Sequence, residues 1–345
     1  MEAHQQLEKE WAEFNDLDPA GMVACSSGTA ALHLALEAFR LPQGSEVIVP
    51  DFTMIACARA VTLAGLMPMF VDCDERLLMD FPLLYAGWDR NTARVRGIKA
   101  VMAVHVYGRK ADMNCIAEFC SSKMQGGDGL RIVEDLAEAH GIRPHPATDA
   151  AAWSFYSNKI VAGEEGGAVW FRDPEHAALA RQLRSLGFTE AHDFDHVPRG
   201  HNYRMSNLHA HHIVSDLRNQ NGLPWIEGNQ RIRQEIESWY DAACPVEWRM
   251  PPRDVVWVYD VRIPGADRDD LKRIVSALNS EGIAARLSFL PMHAQREYTG
   301  CRRVWDGGHD HAFWASEQVF YLPVQPGKTT ETDCKLAFDM IRGEV

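Results

Sequence analysis

The chain has 345 residues, 46% of them hydrophobic and 24% charged, and a formal net charge of −13. That length buries a large core and suggests two domains, and the composition is that of a soluble globular protein. The acidic balance argues against a general nucleic-acid-binding surface, no apolar run approaches the roughly 20 residues of a membrane span, and the polar start Met1–Gln6 does not read as a signal peptide.

Met22–Cys25 reads as a short buried strand, and Ser26-Ser27-Gly28-Thr29 as a turn opening a helix that runs on through Leu36. Ser27 or Thr29 caps that helix, and Gly28 lets the backbone approach an anion. A helix N-terminus with unbonded N–H groups is a phosphate cradle, although an ordinary cap fits the same residues. The turn matches neither the P-loop nor the dinucleotide fingerprint.

Downstream, short apolar runs (46–49, 67–71, 98–106 and 130–133) alternate with helix-length stretches, the pattern of a doubly wound, mainly parallel sheet. Residues 113–124 read as a crossover helix, ended by the turn Gln125-Gly126-Gly127-Asp128-Gly129. Strands at 151–156 and 168–171 flank a turn containing Lys159, and a helix follows over 174–186. From Ser206 to about Trp239 the pattern is helical, broken near Asn221-Gly222-Leu223-Pro224. That break divides a large domain, 1–222, from a small one, 223–345. The small domain reads as a strand at 255–263, a helix at 268–282, a strand at 285–290 and a closing helix at 331–342.

The eight cysteines are scattered with no C-x-x-C pair, as in a cytoplasmic protein with reduced thiols. His209 and His212 share a helix face, but neither they nor His211, His309 and His311 have a cysteine or acidic third ligand spaced with them. No metal is expected.

The chemistry concentrates in Glu134-Asp135 and in Trp153-Ser154-Phe155-Tyr156-Ser157-Asn158-Lys159, followed by Gly166-Gly167. A lysine between a strand and a glycine turn is a candidate Schiff-base residue. An aspartate ending a buried strand is the usual partner of a protonated pyridine nitrogen. Pyridoxal phosphate (PLP) needs both.

These segments resemble the DegT/DnrJ/StrS family of PLP-dependent aminotransferases. The similarity also takes in Val49-Pro50-Asp51-Phe52-Thr53, Val104-His105-Val106-Tyr107-Gly108, Gly200-His201-Asn202-Tyr203-Arg204 and Leu290-Pro291-Met292-His293. It implies a fold type I transferase: an α/β large domain on a mainly parallel seven-stranded sheet, plus a smaller C-terminal α/β domain. It also implies transfer of an amino group from glutamate or glutamine to a keto group, most often on a nucleotide-linked sugar.

Residue by residue, the resemblance implies that Lys159 holds PLP and moves a proton. Members with histidine there dehydrate instead. Asp135 pairs with the pyridine nitrogen, and Ser27, Gly28, Thr29 and Ser154 hold the phosphate. Asn202 reaches the phosphate of the neighbouring subunit, which makes a homodimer with shared sites. Glu138 stands where glutamine or histidine often faces the cofactor's phenolic oxygen; a solvated carboxylate is the alternative. Arg204 meets a substrate carboxylate or forms a structural salt bridge. His293 lies near the cofactor mouth or serves packing.

The chain departs from the family at Met54, where a ring-stacking aromatic is usual, and at His211 and His212, where small residues are usual. A segment ahead of Leu7–Phe14 is also missing by comparison. Two other functions fit the same residues: a different PLP reaction, such as elimination, decarboxylation or retro-aldol cleavage, and an inactive binding or regulatory homologue.

Overall fold

A computed structural model describes residues 2–90, 97–122, 129–189, 191, 194–197, 199–218, 225–304 and 310–344. Its centre is built from short apolar strands: β1 (Met22–Cys25), β2 (Glu46–Pro50), β3 (Met67–Val71), β4 (Ile98–Val104), β5 (Arg131–Asp135), β6 (Ala150–Ser154) and β7 (Gly167–Phe171). They lie in the order β1-β7-β6-β5-β4-β2-β3. β7 runs antiparallel to β1 and β6, and the pairs from β6 to β3 are parallel. Runs such as β1 and β6 are buried along their whole length because helices cover both faces.

The helices of this part are α1 (Ala3–Phe14), α2 (Gly28–Ala38), α3 (Ile55–Leu63), α4 (Phe81–Arg90), α5 (Met113–Ser122), α6 (Pro174–Arg184) and α7 (Asn207–Arg218), while α8 (Trp225–Ala243) packs into the C-terminal core through Ile236 and Tyr240. Ser27 caps α2, its Oγ accepting from the Ala30 N–H at 3.1 Å. The breaks expected at 125–129 and 221–224 lie wholly or largely outside the described residues.

The C-terminal part contains β8 (Val258–Arg262), α9 (Arg268–Ser280), β9 (Arg286–Leu287), β10 (Arg303–Val304), α10 (His311–Gln318), β11 (Val319–Pro323) and α11 (Glu331–Glu344). Its sheet is antiparallel, in the order β8-β11-β9. β11 is absent from the sequence reading, because α10 runs straight into it with no turn residue between them. The strand expected at 285–290 shrinks to two residues, since its register meets β11 only at Leu287 with Phe320 and Arg286 with Tyr321.

The seven-stranded sheet gains an eighth, two-residue strand, as β10 pairs in parallel with β3. A separate core of residues between Ile236 and Ile341 supports the C-terminal sheet. Met292, Tyr298, Ala312 and Ala315 pack instead into the core of the larger sheet.

A buried ion cluster joins the two parts. Arg109 Nη1 lies 2.9 Å from Asp260 Oδ2, and Arg253 Nε donates to Asp260 Oδ1 at 2.8 Å. Despite burial, the two guanidinium groups hold the Asp260 carboxyl below its usual range. Removing either partner would strand a buried charge.

Candidate active site

A cavity of about 380 Å³ opens at the carboxyl ends of the parallel strands. That is where open α/β sheets present their crevice. Asp135 ends β5, Ser154 ends β6, and the first turn of α2 brings Gly28 and Thr29. These residues line the cavity together with Ser27, Met54, Glu138 and Lys159.

The backbone approach at Gly28 is close. A Cβ there would lie 2.7 Å from Ser154 Cβ, so only glycine lets α2 abut the end of β6. Gly167 is held in the same way, since a Cβ there would stand 2.3 Å from the Ser27 carbonyl. The N-terminus of α2 is therefore seated against β6 and β7, with its first N–H groups beside the cavity.

Lys159 sits on the turn between β6 and β7, which is pinned along its length. The Asn158 carbonyl accepts from Trp257 Nε1 at 2.8 Å, the Val161 N–H donates to His140 Nδ1 at 3.1 Å, and the Ala162 N–H donates to Asp216 at 3.0 Å. Burial, with the Lys159 charge, pushes the His140 imidazole down to about 3, so it stays neutral and accepts. Lys159 Nζ lies 3.9 Å from Glu138 Oε1 and 4.0 Å from the centre of the Trp257 ring. Burial lowers the lysine pKa, and the Glu138 and Asp135 charges oppose that shift.

Glu138 is buried rather than solvated, with 7% of its surface exposed. Its Oε2 accepts from the Tyr107 N–H at 2.9 Å, and Tyr107 adopts left-handed backbone angles of φ 53° and ψ 32°. Burial pushes the Glu138 carboxyl up to about 7, even with Lys159 pulling it down. Asp135 accepts from the Ala137 N–H at 2.9 Å and from the Cys57 thiol at 3.1 Å. Burial, then the Asp135 charge, keeps that thiol protonated.

Three expected residues lie outside the lining of this cavity. Asn202 is exposed, and its backbone bridges to Ser185. Its loop is tied to α2, because His33 Nδ1 is 3.1 Å from the Tyr203 hydroxyl. Arg204 is exposed and borders a different hollow with Glu2, His4 and Asn207. His293 pairs with Asp51, Nδ1 to Oδ2 at 2.6 Å, and this hydrogen bond raises its pKa against partial burial. Asp51 begins the segment that ends at Met54, so His293 is tied to the lining through that segment without lining the cavity itself.

Several lining residues escaped the sequence reading. Trp257, Phe289, Tyr321 and Arg286 form the C-terminal wall, and Tyr156 joins the lining from the lysine turn. Spacing does not reveal them, because they come from strand ends and loops distant in sequence. The arrangement has a buried amine, a carboxylate at a strand end, and a helix N-terminus open to an anion. It can hold a phosphorylated carbonyl compound covalently and exchange protons with it.

A profile of the DegT/DnrJ/EryC1/StrS aminotransferase family matches residues 2–337. A GDP-perosamine synthase from Caulobacter vibrioides is 32% identical over 307 residues, which are 85% of this chain and 78% of that protein. A dTDP-3-amino-3,4,6-trideoxy-alpha-D-glucose transaminase from Streptomyces venezuelae is 33% identical over 331 residues, 93% of this chain and 81% of that protein. The crystal structure of a DegT DnrJ EryC1 StrS aminotransferase from Brucella abortus superposes with a TM-score of 0.81 at 27% identity. It covers 98% of this chain and 89% of that one. Fold, cavity and sequence thus agree over nearly the whole length: the protein belongs to the DegT/DnrJ/EryC1/StrS aminotransferase family and is a PLP-dependent aminotransferase of fold type I.

Proposed function

We propose that this protein moves an amino group from glutamate or glutamine to a keto group on a nucleotide-linked sugar, working as a cytoplasmic homodimer with shared active sites. The observation that carries this reading is the cavity that joins Lys159 and Asp135 to the N-terminus of α2. The sugar substrate rests on the relatives, two of which are named for GDP- and dTDP-linked amino sugars.

The cavity fits PLP. Gly28 lets the N-terminus of α2 close against Ser154, where any Cβ would collide, so its first N–H groups stand beside the cavity, and among the described residues Lys159 has no carboxylate nearer than 3.9 Å. Ser27, Gly28, Thr29 and Ser154 would hold the phosphate, Met54 would cover a ring face, and Asp135 would meet the ring nitrogen. Bound there, PLP supplies an electron sink for the carbon that loses or gains the amino group. Lys159 would anchor the cofactor and would move a proton to and from that carbon. Asp135 would support positive charge on the ring nitrogen, and the Cys57 thiol and the Ala137 N–H fix its orientation. Glu138, with its carboxyl near neutrality, offers a proton beside Lys159.

Asn202 is exposed and outside the cavity of its own chain, which suits contact with a partner's site. Residues 1–222 and 223–345 are the proposed domains, and Arg204 and His293 remain candidates for substrate contact. No helix among the described residues is long and apolar enough to cross a membrane, and the eight cysteines are unpaired, as suits a reducing compartment.

The test is a pair of half-reactions. L-glutamate should convert the cofactor to its amine form, with loss of visible absorbance, and a nucleotide-linked keto sugar should restore it. Elimination, decarboxylation or retro-aldol chemistry would leave the visible band in place after turnover. An inactive homologue would show no half-reaction.

A further inference from the structure

We propose that Arg286 anchors the anionic part of the substrate at the mouth of the catalytic cavity, an inference that rests on the aminotransferase function proposed above. Two cations line this cavity among the described residues, Lys159 and Arg286. Lys159 is buried at the covalent centre. Arg286 is exposed, at the start of β9, and belongs to the C-terminal wall.

Other arginines at the junction of the two parts are already engaged. Arg109 and Arg253 are locked on Asp260, and Arg303 is held by Asp51 and Asp310. Arg286 makes no salt bridge among the described residues, although Asp135, Glu138 and Glu165 line the same cavity. Its register partner on β11 is Tyr321, which also lines the cavity. Burial pushes the Tyr321 hydroxyl up to about 12, so it stays a neutral neighbour.

Both halves of the reaction need such a group. The amino donor brings carboxylates and the acceptor brings a diphosphate, and three carboxyl-bearing residues in the lining of a chain of net charge −13 oppose either anion. A guanidinium gives two parallel N–H donors matched to the oxygens of a carboxylate or a phosphate. Arg204, the candidate from the sequence, borders a different hollow of this chain. Arg286 therefore carries the anion contact from the C-terminal wall.

The experiment uses cofactor-loaded wild type, Arg286→Ala and Arg286→Lys, with unchanged melting temperatures as the folding control. One arm measures the half-saturation of the L-glutamate half-reaction. The other measures binding of GDP, UDP and dTDP by calorimetry. Arg286→Ala should weaken one of these by about tenfold or more, with a smaller change in limiting rate, and Arg286→Lys should recover part of the loss. A loss confined to glutamate assigns the carboxylate, and a loss confined to the nucleoside diphosphates assigns the diphosphate. Equal constants for wild type and Arg286→Ala in both arms overturn the proposal. Wild type that neither reacts with glutamate nor binds a nucleoside diphosphate overturns the function on which it rests.

Discussion

Glu138 Oε1 lies 3.9 Å from Lys159 Nζ, and burial works on the two groups in opposite senses. It raises the glutamate and lowers the lysine, so both are pushed toward their neutral forms. A carboxyl raised from 4.5 to about 7 on folding contributes stability that is complete below pH 4.5 and lost as pH rises through 7. Cofactor-stripped wild type should therefore lose melting temperature between pH 5 and 7.5 relative to Glu138→Gln. The difference would correspond to roughly 3 kcal/mol at most. Parallel melting profiles of the two proteins would remove Glu138 as a titrating group in this range.

Lys159 should carry the cofactor covalently. Its turn is pinned by Trp257, His140 and Asp216, and its amine has no tight ion pair among the described residues. Borohydride treatment of the holoenzyme should fix the cofactor to the peptide containing Lys159. Mass spectrometry that finds the label on another lysine contradicts the assignment.

Asp135→Asn should keep most PLP binding and lose about a hundredfold in turnover, because the phosphate contacts remain while the charge on the ring nitrogen is no longer supported. Asparagine keeps one acceptor oxygen for the Ala137 N–H, and its NH2 then faces the Cys57 sulfur, which becomes the acceptor. Near wild-type turnover in a cofactor-saturated Asp135→Asn protein would exclude the role.

The large-domain half of the site was legible because its chemistry sits on local signals. Asp135 ends an apolar run, Gly28 follows a strand and opens a helix, and Lys159 lies on a turn before paired glycines. The C-terminal half was not. Arg286 and Leu287 form a strand too short to show alternation, and Trp257 immediately precedes β8, in a segment the sequence reads as ordinary strand. Their facing is set by the register with β11 and by the Arg109–Asp260 pair that joins the two parts. Neither contact has a pattern within a short window of sequence. Glu138 was legible as a position but not as a state, because its burial depends on the left-handed turn at Tyr107.

Shared sites in a homodimer should appear as complementation. Lys159→Ala and Asn202→Ala would each be inactive alone. After verified subunit exchange, their mixture should regain part of the wild-type activity, because some mixed sites take both intact residues. A fully active monomer by light scattering ends this expectation.

Met54 precedes α3, is 50% exposed and lines the cavity, so it is not a core methionine turned away from the site. Its neighbour Thr53 is buried, and the Asp51–His293 pair holds the start of the segment. A thioether over a ring gives modest attraction and loose positioning, less than a stacked aromatic supplies. Met54→Ala should therefore weaken PLP binding roughly two- to tenfold, with little loss of melting temperature in the cofactor-free protein. Met54→Phe and Met54→Tyr replace a half-exposed residue of the cavity wall, so they should fold normally and bind PLP at least as tightly as wild type. Cofactor dissociation constants and melting temperatures of the three variants decide the matter. Unchanged PLP affinity in a folded Met54→Ala protein would rule out the ring-covering role.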